Sequence, residues 1–140
     1  MLIRLIYVSA AVGPQTGTMT HSILEKAQVW NQAHDITGVL CQDDGFFLQA
    51  LEGERAEVTK LYARIYEDRR HSNVEIIHCE CIAKRRYNNW SMAHVSFASM
   101  DLQTKIKWPE FDPYSADGMQ VMAHIDRLLA SGTVIRSPDA

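Results

Sequence analysis

The chain has 140 residues, of which 46% are hydrophobic and 22% are charged, with a formal net charge of −3. These values fit one globular domain with a buried core and give no indication of broad electrostatic binding to nucleic acid. No apolar run is long enough to span a membrane, no secretory signal opens the chain, and three cysteines make neither a disulfide framework nor a four-ligand zinc pattern, so we expect a cytoplasmic protein with reduced thiols.

The first elements along the chain are a predicted strand and a predicted helix. Residues 2–9 are apolar and rich in branched side chains, which indicates a buried strand, and a Gly/Pro/Thr stretch follows at 13–18. Ser22 and Glu25 have the spacing of a capping box, which predicts a helix start at or near this point. That helix places four residues on one side: Leu24, Ala27, Gln28 and Asn31.

A hairpin and a second helix come next. The strand-like runs 36–42 and 46–52 flank Asp44-Gly45, and an Asp-Gly turn between apolar runs predicts a hairpin. Four apolar residues then repeat at helical spacing and predict an amphipathic helix: Val58, Leu61, Tyr62 and Ile65.

The last predicted strands, 74–83 and 90–98, are interpreted as a pair joined by the basic loop KRRYNN. A short C-terminal helix follows, and residues from Gly132 onward are expected to form a loose tail. The order β-α-β-β-α-β-β predicts an α+β, ferredoxin-like sheet with two helices on one face. The C-terminal helix is expected either to cap the open face of this sheet or to serve a dimer.

One amide lies out of place in the third predicted strand. Alternation puts Gln49 on the same face as Phe47 and Leu51, and the other face of that strand is also apolar. A buried amide without partners costs about 1–3 kcal/mol, so Gln49 should have assigned hydrogen bonds.

Tyr7 on the first predicted strand and Asn31 on the first predicted helix are also polar residues at positions expected to be buried. Each has a structural explanation: Tyr7 as a core tyrosine with its hydroxyl satisfied, and Asn31 as a residue at a helix C-terminus. Together with Gln49, on elements expected to adjoin, they indicate a polar ligand between helix and sheet.

Five motifs in the right order resemble the BLUF domain family. They are RLIYVS around Tyr7, NQAHDITGVL (31–40), GFFLQALEG (45–53), DRRHSNV (68–74) and KRRYNNWSM (84–92). The resemblance runs from about Leu2 to Met100. We interpret residues 1–100 as a flavin-binding photosensor domain and 101–140 as a C-terminal extension with one short helix and a loose tail. It implies a blue-light photoreceptor that binds FAD, or sometimes FMN, between the two helices and facing the sheet.

The resemblance also implies roles for photochemical residues. Tyr7 would donate an electron and a proton to the excited flavin, and Gln49 would be the amide that rearranges between them. Trp90 and Met92, on one face of the last strand, would be the two residues that exchange places near Gln49.

The remaining roles implied by the resemblance concern cofactor binding. Asn31 would hold the pyrimidine edge of the flavin, with Asp68 and Arg70 around the ring and ribityl chain. His71 would pack near the ring, and Phe47 would line its pocket. Where many members have a second asparagine, this chain has Trp30, a large ring at the lip of the pocket.

Other interpretations involve different residues. His78, Cys79 and Cys81 suggest a metal site, but alternation turns His78 away from the cysteines, so we expect no metal. The loop 84–89 mixes basic and aromatic residues, as single-strand binders do, although such a loop is commonly just solvated. A flavin-independent α/β ligand- or protein-interaction module is the main alternative function, and a redox flavoenzyme is another.

The resemblance does not name an output. Too few residues follow the last motif for a cyclase or phosphodiesterase domain, so we expect no enzymatic activity and a signal passed to a separate, unidentified downstream protein. The apolar C-terminal helix could form the interface of a homodimer. We expect neither membrane binding nor nucleic-acid binding.

Overall fold

A computed structural model describes residues 1–13, 17–43, 45–88, 92–96, 111–131 and 134–135. Three helices and six strands fall within these ranges. In chain order they are β1 (Leu2–Ala11), α1 (Gly17–Ala33), β2 (Thr37–Asp43), β3 (Phe46–Glu54), α2 (Arg55–Glu67), β4 (His71–Cys81), β5 (Ala93–Ser96), α3 (Gly118–Ser131) and β6 (Val134–Ile135). No helix in this part of the chain is long and apolar enough to cross a membrane.

The strands form one sheet in the order β4-β1-β3-β2-β5-β6. Strand β1 lies between β4 and β3 and is antiparallel to both, while β2 and β3 form an antiparallel hairpin. Asp43 pairs with Phe46 at the end of the hairpin, and Gly45 has φ +86°, a conformation that glycine adopts without steric cost. The predicted α+β architecture and its hairpin are therefore confirmed.

Three local predictions were wrong. Strands β4 and β5 do not pair with each other, because β4 adds to β1 while β5 runs parallel to β2 on the other side of the sheet. Residues 134–135, predicted to be part of a loose tail, form a strand that pairs with β5. Ser22 lies inside α1, five residues after its first residue Gly17, and so does not cap the helix start.

The two faces of the sheet carry separate hydrophobic clusters. The first cluster joins α1 and α2 to one face, through Leu24 of α1 and Val58 and Leu61 of α2. The second joins α3 to the opposite face. Its buried residues from α3 are Val121, Ile125 and Leu128. Both predicted helices thus pack on one face, and α3 covers the face that they leave open.

A buried carboxylate ties the loop after β4 to the sheet. Glu52 is fully buried and accepts hydrogen bonds from Arg4 Nε at 2.9 Å, Arg86 N at 3.0 Å and Tyr87 N at 2.6 Å. The side chain of Arg86 then forms an ion pair with Asp126 of α3. This arrangement connects β1 and β3 to the loop that precedes β5 and, through the loop, to α3.

Candidate functional site

A cavity of about 720 Å³ lies between α1, α2 and the sheet. Its floor is formed by side chains of β1, β2 and β3, and its sides by the two helices and the segment that follows α2. Apolar side chains make most of the wall, among them Leu40, Phe47, Leu61 and Ile65. A cavity of this size, with apolar walls and a few polar groups, is typical of sites for small molecules and cofactors.

The polar centre of the floor is a pair of side chains from neighbouring strands. Tyr7 and Gln49 are directly opposite each other in the β1–β3 register. The Tyr7 hydroxyl donates a hydrogen bond to Gln49 Oε1. Both residues are buried, with 3% and 5% of their surface exposed, and both line the cavity. The amide that appeared misplaced in the sequence therefore has an assigned partner.

The other end of the Gln49 amide contacts a methionine just before β5. Gln49 Nε2 donates to Met92 Sδ at 3.4 Å, and Met92 is fully buried. Gly38 makes room for this contact: a Cβ at that position would lie 2.1 Å from the Ala50 carbonyl oxygen and 3.3 Å from Met92 Cε. A larger residue in place of Gly38 would therefore push β2 away from β3 and from Met92.

Tyr7 lies in surroundings that favour its neutral form. Burial raises the pKa of its hydroxyl well above the ordinary value, and Tyr62 and Asp68 add to the rise. The ring of Tyr7 packs edge-on against Tyr62 at 5.9 Å and against His71 at 6.4 Å between centroids. Tyr7 therefore holds its proton firmly and directs it at Gln49.

Just after α2, Asp68 and Arg70 form an ion pair. Arg70 Nε donates to both carboxylate oxygens of Asp68, at 2.9 and 3.0 Å, and the Arg70 backbone N–H adds a bond of 2.9 Å. These bonds from Arg70 hold the pKa of the Asp68 carboxyl below its usual range, so the pair is charged at neutral pH.

His71 is fixed through both ring nitrogens. Nε2 contacts the Ile65 carbonyl oxygen, which can only accept, so Nε2 is the nitrogen that donates. Nδ1 lies 2.8 Å from Ser9 Oγ, and it can accept a hydrogen bond from the Ser9 hydroxyl. The side chain thus bridges α2 and β1 beside Tyr7.

Asn31 lies at the end of α1 and is fully buried in the cavity wall. Its backbone carbonyl accepts from Ile36 N at 2.8 Å, where the chain leaves the helix for β2. Asn31 thus has a position near the helix C-terminus, as its structural explanation requires, and also a place in the cavity, as its functional one does.

The structure brings most of the predicted site residues together around one cavity. The lining includes Tyr7, Asn31, Phe47, Gln49, Asp68, Arg70 and His71. Met92 contacts Gln49, whereas Trp90 lies outside the described residues. Among the described residues, no group of three His, Cys, Asp or Glu side chains is placed to hold a metal ion.

Among the lining residues without a role in the sequence prediction, two contact each other. Arg64 of α2 lies over the ring of Trp30 of α1, with 3.9 Å between its guanidinium carbon and the ring centroid. Trp30 was noted only as a departure from the family pattern. The helical repeat of α2 indicated its apolar side, but no pattern in the sequence pairs Arg64 with a residue of another helix.

Comparisons with known proteins agree on one family. Residues 2–93 match the model of the BLUF family, described as sensors of blue-light using FAD. The photoactivated adenylate cyclase subunit beta of Euglena gracilis is 35% identical over 92 residues, covering 65% of this chain and 11% of that protein. The chain thus spans about a tenth of the length of such curated relatives.

Two similar solved structures extend over nearly the whole chain. The photo-activated state of BlsA has a TM-score of 0.80 at 25% identity and covers 99% of this chain and 100% of its own. The dark state of the BLUF protein BlrB has a TM-score of 0.77 at 27% identity, with coverage of 92% and 95%.

Proposed function

Because the chain belongs to the BLUF family of blue-light sensors that use FAD, we propose that its light response begins at Tyr7 and Gln49. A bound flavin supplies a chromophore that absorbs blue light and, when excited, attracts an electron. The observation that carries the proposal is the buried hydrogen bond from the Tyr7 hydroxyl to Gln49 Oε1 in the floor of the cavity.

The geometry around Gln49 favours an amide with two arrangements. Its Oε1 accepts from a strong donor, Tyr7, while its Nε2 donates to the sulfur of Met92, which is a weak acceptor. Rotating the Gln49 amide by half a turn breaks the strong hydrogen bond from Tyr7 and the weak one to Met92. The amide N–H then points towards the Tyr7 oxygen. If Tyr7 gave its electron to a bound flavin, and its proton to the same flavin through Gln49, its oxygen would become an acceptor that the turned amide fits better.

One rearranged hydrogen bond cannot carry the whole signal. A single bond contributes about 1 kcal/mol net, whereas moving a population from mostly one state to mostly another takes about 5.5 kcal/mol. Repacking around Gln49 must supply the difference. Met92 is the neighbour placed to do so, because it contacts Gln49 and directly precedes β5.

The other lining residues would hold the ring. We assign Asn31 to the polar edge of the flavin and Phe47 to its face. Arg70 and His71 would flank it, with Asp68 fixing the direction of the Arg70 guanidinium. A cavity of about 720 Å³ with this lining has both the size and the few polar groups that such a ligand needs.

The light signal would be transmitted to the face of the sheet opposite the cavity. Residues 101–140 would be the output segment, in which α3 packs on the face away from the cavity and is joined to the loop before β5 by Arg86 and Asp126. We propose that light changes the packing of α3 and so its contact with a separate protein. The match to BlsA and BlrB over nearly the full chain supports treating α3 as part of the sensor fold.

The test is a pair of substitutions in the purified protein. Tyr7→Phe and Gln49→Leu should each retain flavin yet lose the light-driven red shift of its absorption. Tyr62→Phe is the matched control, since its ring packs against Tyr7 but makes no bond to Gln49, and it should keep the shift. A red shift retained in Tyr7→Phe or Gln49→Leu would contradict these roles, and turnover of a reductant by the wild type would indicate a redox flavoenzyme instead.

A further inference from the structure

A glutamine of α1 is hydrogen-bonded to the segment that enters β5. Gln28 Nε2 donates to the backbone carbonyl oxygen of Met92 at 3.2 Å, in a partly buried bond between residues 64 positions apart in the chain. Gln28 does not line the cavity, although its helix neighbours Ala27 and Trp30 do. Its amide is therefore placed to act on Met92 and not on a ligand in the cavity.

Met92 is held at three places. Its sulfur accepts from Gln49 Nε2 at 3.4 Å, its carbonyl oxygen accepts from Gln28, and Gly38 leaves the space that its Cε occupies. The sulfur contact is the weakest of the three, because a thioether is a poor acceptor. Methionine is also unbranched and adapts its shape readily, so packing alone fixes the sulfur poorly. The bond from Gln28 limits this freedom because it fixes the backbone from which the side chain starts.

The bond from Gln28 is not one that the rotating amide has to break. In the proposed light reaction the Gln49 amide turns away from Met92, so the sulfur loses its partner. The Met92 carbonyl oxygen is part of the backbone, and its donor belongs to α1, whereas Gln49 belongs to β3. The anchor and the moving amide therefore lie on different elements, and the anchor can persist while the amide is turned.

We propose that Gln28 is a positioning residue for the light reaction, which holds Met92 in place while the Gln49 amide is turned and so speeds the return to the dark state. On that return the amide N–H must meet the Met92 sulfur again. A sulfur that is already in place lowers the conformational entropy lost in this step. The inference rests on the proposed function, because it concerns the same amide.

The experiment measures how fast the red shift decays in the dark after blue light, in the purified protein loaded with FAD. Gln28→Glu keeps the length of the side chain but removes its N–H donors. The decay should become about fivefold slower, the change in rate that corresponds to one net hydrogen bond. The affinity for FAD and the size of the shift should stay at their wild-type values, because Gln28 does not line the cavity.

Two further substitutions separate the lost donor from the added charge. Gln28→Met has a similar length and neither donor nor charge, so its decay should also be slow. Gln28→Lys retains an N–H donor and should decay at nearly the wild-type rate. Gln32→Glu is the matched control, because it makes the same chemical change one turn further along α1 at an exposed side chain. Its decay should equal that of the wild type.

A double variant shows whether Gln28 acts through the Met92 sulfur. In a Met92→Leu background there is no sulfur to position, so Gln28→Glu should have little further effect on the decay. A general loss of helix packing would instead slow the decay equally in both backgrounds.

A second readout does not depend on the photochemistry. The Met92 Cε methyl resonance in NMR spectra of the unilluminated protein, assigned by its loss in Met92→Leu, should shift or broaden in Gln28→Glu and stay unchanged in Gln32→Glu. An unchanged decay in Gln28→Glu, an unchanged methyl resonance, or equal slowing in the Met92→Leu background would each overturn the proposal. A flavin-loaded wild type without any red shift would instead contradict the proposed function.

Discussion

Tyr7 sits where a phenol keeps its proton, and this property can be tested by pH. Burial raises the pKa of its hydroxyl above the ordinary value of 10.0, so the folded protein binds this proton more tightly than the unfolded chain. The resulting stabilisation is fully present below pH 10.0 and is lost as pH rises beyond it, when the unfolded tyrosine ionises.

We therefore expect the Tyr7 hydroxyl to remain protonated throughout an alkaline titration of the folded protein. Tyrosinate absorbance of the wild type and of Tyr7→Phe should rise in parallel up to the pH at which each protein unfolds. If Tyr7→Phe ionised one tyrosine fewer while still folded, the account of a firmly held proton would be wrong.

The three cysteines should differ sharply in reactivity. Cys41 is buried under α3, and burial raises the pKa of its thiol to about 12, whereas Cys79 and Cys81 are exposed on the edge strand β4. Because the thiolate is the reactive form, a maleimide should modify two thiols in the folded protein and three in denaturant. Rapid modification of Cys41 under native conditions would show that α3 does not hold this face closed.

The sequence carried enough to find the floor of the site but not its outer part. Strand alternation alone places Tyr7 and Gln49 on apolar faces, and an unpaired buried amide demands a partner, so their meeting could be expected. The contact of Arg64 with Trp30 could not be predicted from the sequence. The two residues lie on different helices, and the relative rotation of two helices is set by how they pack and not by the apolar repeat of either one.

At the scale of elements, Met92 is the predicted link between the amide and α3. Met92→Leu preserves volume and should cost less than about 1.5 kcal/mol, yet it removes the sulfur that Gln49 Nε2 contacts. We expect the variant to keep its flavin red shift while the light-induced change in hydrogen exchange of α3 amides becomes smaller.

The control for this prediction is Met119→Leu. Met119 lies on α3 with 79% of its surface exposed, so the same chemical change should leave both measurements as in the wild type. If α3 in Met92→Leu responded to light as fully as in the wild type, the signal would have to reach α3 by another route.

The order of strands shows where local patterns fail. Apolar runs correctly predicted β1 to β5 but not β6, and Asp44-Gly45 correctly predicted one hairpin. The adjacency of β4 and β5 along the chain suggested a second pair, but β5 instead pairs with β2 in parallel. Neither turn residues nor alternation encodes that choice, because it depends on contacts between segments far apart in sequence.

At the scale of the whole molecule, Glu52 holds the sheet and the loop before β5 together. It is fully buried, and it pairs with Arg4, whose side chain is 9% exposed. Glu52→Gln keeps the shape of the side chain, and Arg4 keeps a second carboxylate, Glu80, at 2.6 Å. The amide nitrogen cannot accept the N–H bonds that both Glu52 oxygens accept, so a buried donor loses its partner and unfolding in urea should show a loss of about 2 kcal/mol.

Glu54→Gln is the matched control for that measurement. Glu54 lies on the same strand and pairs with the N-terminal amine, but both groups are 58% exposed, so the change should cost less than about 1 kcal/mol. Equal losses for the two variants would mean that the buried carboxylate has no special part in joining the loop to the sheet.

The most direct test of the whole account is the light-minus-dark absorption spectrum of the purified protein. A sensor that works by turning the Gln49 amide beside a bound flavin should be yellow, and blue light should give a small red shift that reverses in the dark. A protein without flavin, or one whose bound flavin shows no reversible shift under blue light, would contradict the account.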